Sequence, residues 1–140
     1  MNEIIIFSHE DCLLKYNGIN HPERKERLDT VLKSIKEISD INIIIKEAEL
    51  ADTDTISLVH PKKYIDNIFA SIPESGLLGV EKEPYADTLL CPHSKDAILR
   101  SCGSGISAAD ELLQDQNKRI FCAVRPPGHH AETSRANGFC

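Results

Sequence analysis

"RIFCAVRPPGHHA", residues 119–131, passes from an apolar segment straight into a Pro-Pro-Gly corner and two adjacent histidines. Ile120, Phe121, Cys122, Ala123 and Val124 do not alternate with polar residues, which is the pattern of a short strand covered on both faces. Residues 4–7 (IIIF) and 43–45 (III) share that character. Strands of this kind are parallel strands, and parallel neighbours require long crossover connections, usually helical.

The stretches between these runs have helical spacing. Leu28, Val31, Leu32, Ile35 and Ile38 recur at three and four, with Pro22 suited to a first turn, and predict a helix over about residues 22–38. Tyr64, Ile65, Ile68, Phe69 and Ile72 repeat the pattern after Pro61. Ile98, Cys102, Ile106, Ala109 and Leu113 repeat it after Ser94, which the sequence offers as an N-cap. Gly103 and Gly105 weaken that third helix by roughly 1 kcal/mol each, a cost tolerated where a helix lies close against a neighbour. Strands alternating with amphipathic helices in 140 residues predict one α/β domain built on a doubly wound, mainly parallel sheet. Residues 73–93 (PESGLLGVEKEPYADTLLCPH) interrupt it without a period, either as the rim of a site or as a plain surface loop.

Composition narrows the function. A formal charge of −6, with no basic stripe, excludes a nucleic-acid partner. The apolar runs are too short to cross a bilayer, so no membrane partner is expected. The opening MNEIIIFSHED has no basic flank or small-residue cleavage site, which leads to the expectation of a cytoplasmic protein. Five cysteines, an odd number without a CxxC, argue against a disulfide framework, and Cys102 and Cys122 are expected to act as small buried hydrophobes.

In open α/β sheets the ligand crevice lies beyond the carboxyl ends of the strands, which makes His129 and His130 site candidates. Consecutive side chains project in different directions. They suit two points on a substrate better than one metal ion, so acid–base work fits better than ligation. Pro126 and Pro127 fix two φ angles and Gly128 permits a turn, so the histidines sit on a rigid mount. From spacing alone, the same residues also read as a stiff loop bearing two solvated histidines.

RPPGHHAE (125–132) followed by GFC (138–140) resembles the histone deacetylase family in its broad sense, which includes acetylpolyamine amidohydrolases and acetoin-utilisation proteins. HPERKERL (21–28) is similar to the family's HPE-x-P-x-RL segment, with Lys25 where proline is common. LVHPKKYIDNI (58–68), ADTLLCPHS (86–94) and AILRSCGSGISAADELL (97–113) also fall in family order. The resemblance implies an arginase/deacetylase-like fold and a zinc-dependent amide hydrolase acting on acetylated lysine or polyamine. It further implies that His130 is the general base and acid, with His129 its electrostatic partner. Gly138 and Phe139 would wall the substrate tunnel, Asp87 would be the rim acid, and Arg27 would lie beneath the channel floor.

The family's D-x-H ligands, its second metal-binding aspartate and its oxyanion tyrosine belong downstream of GFC. The expectation is therefore an N-terminal portion of the domain, with zinc a cofactor of the full-length family and not expected to be bound by this chain. His9, His21, His60, Cys91 and His93 are too scattered to promise a substitute metal site. Three readings follow: an inactive N-terminal part of a deacetylase, a non-catalytic module that binds a ligand or partner through residues 73–93 and the tunnel wall, or one half of a split enzyme completed by a C-terminal fragment.

Overall fold

The computed structural model describes residues 3–80 and 87–140. The elements run β1 (Glu3–Ser8), α1 (Asp11–Leu14), α2 (Lys25–Lys36), β2 (Asn42–Glu47), α3 (Thr53–Ile56), α4 (Lys62–Ala70), β3 (Leu78–Gly79), β4 (Leu89–Leu90), α5 (Ser94–Gln114) and β5 (Ile120–Cys122). β1, β2 and β5 form a parallel sheet in the order β2-β1-β5, with Ile5 opposite Ile44 on one side and Ile120 on the other. The strand pattern of residues 120–124 ends at Cys122, although the Ala123 N–H still reaches Phe7 O at 2.8 Å.

β1 explains why its sequence does not alternate. Ile6 packs with Cys12, Leu28, Ile35 and Ala123, against the α1 and α2 side of the sheet. Ile5 and Phe7 point the other way and pack with Ala48, Ile44, Ala108 and Ile120, against the α5 side. Side chains of a strand alternate between faces, so a strand covered twice must be apolar at every position. Burying Ile5, Ile6 or Phe7 contributes about 1.5–3 kcal/mol each. The expected doubly wound arrangement is the one observed.

The helix expected over about 22–38 is α2, starting three residues later, with Leu28 and Ile35 buried. The helix expected after Ser94 is α5. Ser94 is its first residue, fully buried, and its Oγ accepts the Cys91 N–H at 2.8 Å. Gly103 lies where the sequence reading requires closeness: a Cβ there would sit 1.9 Å from Glu49 O. Gly105 faces open space and has no such reason.

Residues 73–93 hold more order than a loop without a period suggests, since β3 and β4 pair there antiparallel; residues 81–86 of this stretch lie outside the described residues. Two short helices, α1 and α3, also went unforeseen, although Asp52 caps α3 by accepting the Thr55 N–H at 2.7 Å. Cys102 is exposed, contrary to the expectation of a buried thiol, and Cys122 is half-buried; Cys12 and Cys91 are the buried cysteines. Among the described residues no helix is long and apolar enough to cross a membrane.

Candidate active site

The sheet places the site through Arg125, the residue after the apolar run. Its guanidinium is buried and grips Glu23 with two nearly parallel hydrogen bonds, 2.6 Å from Nε to Oε1 and 2.8 Å from Nη2 to Oε2. Nη1 donates to Cys12 O at 2.6 Å and Lys15 O at 2.8 Å. Asn17 donates to Glu23 Oε2 and to Glu23 O, and the buried Lys15 ammonium donates to Asn17 Oδ1 and, at 3.1 Å, to Leu89 O. Two buried cations and one buried carboxylate are tolerable only when their hydrogen-bonding capacity is met in this way. Burial lowers the Lys15 pKa while Glu23 pulls it back up. The network clamps residues 15–23 beneath the corner that carries the histidines. Sequence reading missed it; the only signal was a charge placed directly after an apolar strand.

Pro126 follows, buried, with its carbonyl accepting the Ser101 hydroxyl of α5 at 2.8 Å. His129 and His130 then emerge exposed, their ring centroids 4.3 Å apart and their planes tilted by 57°. The chain turns outward through residues 131–137 and returns at Gly138, which meets His130. A Cβ on Gly138 would lie 2.4 Å from His130 Cβ, and Gly138 has φ +65°, so two independent reasons require glycine. Both carboxylate oxygens of Asp87 accept the Gly138 N–H at 3.1 Å. Phe139, at φ +77°, sets its ring edge-on to His21 with centroids 4.9 Å apart.

The structure therefore brings together His129, His130, Gly138, Phe139 and Asp87, and adds His21. Arg27 is not with them. It is exposed on α2 and lines a separate hollow of about 270 Å³ with Glu23, Arg125, Pro127 and Phe121.

Behind the returning chain is an apolar hollow of about 150 Å³. Ile65, Ile68 and Phe69 of α4, Ile98 and Cys102 of α5, and Phe139 and Cys140 form much of its wall. Burial pushes the Cys140 thiol up to about 11, with Cys102 adding to the shift and Lys15 opposing it. Cys102, although exposed, is crowded enough at the hollow's wall that its thiol is raised as well.

A rigid corner, paired imidazoles and a glycine packed on one of them make a setting for proton transfer. Residues 21–140 match the histone deacetylase domain. The chain belongs to the histone deacetylase family. A probable deacetylase of Archaeoglobus fulgidus is 29% identical over 139 residues, covering 97% of this chain and 37% of that protein. A probable deacetylase of Methanothermobacter thermautotrophicus is 30% identical over 138 residues, covering 97% and 39% respectively. The crystal structure of the HDA15 HD domain superposes with a TM-score of 0.84 at 24% identity, over 96% of this chain and 40% of that one, a likeness of fold. This histone deacetylase family chain thus spans about two fifths of the length of those proteins, and the matched residues include His129 and His130.

Proposed function

We propose that this chain is the N-terminal part of a zinc-dependent amide hydrolase that removes acetyl groups from acetyl-lysine or acetylpolyamine substrates, and that it has no catalytic activity by itself. The observation that carries the reading is His130 seated on Gly138 while Asp87 holds the Gly138 N–H. In this reading His130 takes a proton from the attacking water and returns it to the leaving amine. His129, 4.3 Å away between ring centroids, is its electrostatic partner in this reading. Gly138 and Phe139 border the path of the acyl-bearing chain.

When bound, zinc would polarise the acyl carbonyl and acidify the attacking water. Among the described residues no three His, Cys, Asp or Glu side chains converge to hold a metal ion.

Co-expression with the C-terminal portion of one of the archaeal relatives tests the reading. The assembly is expected to retain zinc and release acetate from an acetyl-lysine peptide or an acetylpolyamine. His130→Ala should lower that rate by about 10²- to 10⁴-fold, and the chain alone should neither hold stoichiometric zinc nor release acetate. Zinc-dependent turnover by the chain alone would show the inactivity to be wrong. Complemented turnover indifferent to His130→Ala would remove the assigned role.

A further inference from the structure

The segment between His130 and Gly138 has to leave the fold and return with its two ends packed together. Its backbone bonds are short-range: Ala131 N–H donates to Gly128 O at 3.1 Å, Glu132 N–H to Arg135 O at 2.9 Å and Asn137 N–H to Cys140 O at 2.9 Å, and residues 132–135 are all exposed. Among the described residues, two side chains from elsewhere in the chain reach into it. One is Asp87, at the return. The other is His60, whose Nδ1 lies 2.9 Å from Thr133 O, across 73 residues, at the outer turn of the segment.

A carbonyl oxygen can only accept, so the hydrogen bond requires the proton of the His60 ring to be on Nδ1. The ring is supported from its own side by Tyr64, one turn further along the chain, with centroids 5.8 Å apart. It also contributes to the wall of the apolar hollow shared with Gly128, Ala131, Ala136 and Phe139. His60 therefore stands on a fixed base and touches the exposed part of the site at its outer turn.

We infer that His60 is a positioning residue for the His130–Gly138 site: its Nδ1–H anchors Thr133 O and thereby sets the path by which residues 131–137 deliver Gly138 onto His130. This rests on the proposed deacetylase reading only for what the site does. The anchoring itself is read without any turnover, so its failure and the failure of that reading are separate results.

Two measurements on the full chain decide it. In the wild type, ¹⁵N spectra of the imidazoles should show His60 protonated at Nδ1; a neutral ring with its proton on Nε2 would overturn the proposal even if every variant misfolded. His60→Phe keeps a ring against Tyr64 and removes the donor, whereas His60→Asn returns an N–H at the same distance from the backbone. Loss of one hydrogen bond is expected to speed amide exchange at Glu132, Asn137 and Gly138 by about two- to tenfold in His60→Phe and to shift the His130 ring resonances. His60→Asn should restore both. Unchanged exchange in His60→Phe would overturn the anchoring, and His60→Asn behaving like His60→Phe would reduce His60 to a packing residue.

Discussion

Cys140 gives the site region a pH dependence whose sign follows from burial. Its thiol is raised from the ordinary 9.0 to about 11. As pH climbs past 9 the unfolded chain loses this proton while the folded chain keeps it, so the folded state binds more protons. The stability is full below that point and falls progressively as pH rises toward 11. Lys15, whose pKa is lowered, works in the opposite sense, since its native form gives up a proton before the unfolded one. Urea unfolding midpoints should therefore decline across this alkaline window, and Cys140→Ala should flatten the decline by removing one contributor while leaving Lys15 in place. An equally steep decline in Cys140→Ala would exclude this thiol as a source. At the residue scale the adjacent histidines could be singled out from their place after an apolar strand, whereas Gly138 and Phe139 were named only through the family resemblance; the structure sets the four close together. Arg125 and Lys15 could not be placed, because their significance lies in partners such as Glu23, 102 residues from Arg125.

Among the elements, α5 separates two meanings of the same residue type. Gly103 lets the helix backbone approach Glu49 and Ala51, where Ala51 N–H donates to Leu99 O at 3.0 Å, whereas Gly105 meets nothing within 4 Å. Gly103→Ala is expected to cost about 1–3 kcal/mol or more, because a backbone carbonyl cannot step aside as a flexible side chain can. Gly105→Ala should stabilise by about 1 kcal/mol through helix propensity alone. Equilibrium urea unfolding of the two variants checks both signs, and a stabilised Gly103→Ala would refute the packing described for α5. Helices of nine residues or more and the sheet strands were legible because burial imposes a period or a run of branched side chains on them. The two-residue strands β3 and β4 and the four-residue helices α1 and α3 are too short to carry one; they are held by neighbours such as Lys15, whose ammonium reaches Leu89 O.

At the scale of the whole molecule, no strand among the described residues pairs with the outer edges of β2 and β5, and Ile45 is 51% and Phe121 49% exposed there. Apolar parallel strands with unpaired edges invite association. Domain stabilities of about 5–15 kcal/mol leave little margin for so much uncovered surface. The isolated chain is expected to bind an apolar dye, to self-associate in sedimentation, and to melt with low cooperativity, all relieved by the C-terminal portion of a relative. A monodisperse monomer with a sharp transition and no dye binding would contradict this and favour an autonomous binding module. The buried Arg125–Glu23 fork has a further consequence, one of timing. Its two halves are far apart along the chain, so the loop between them must close before either gains anything, and closure of so long a loop is entropically slow to repay. The pairing of β5 with β1, from Ile5 to Ile120, spans a longer separation still, so the corner bearing the histidines is expected to set together with β5 and after β1 has paired with β2. Stopped-flow measurements on Glu23→Gln should then show faster unfolding with a nearly unchanged folding rate, the mark of an interaction absent from the transition state.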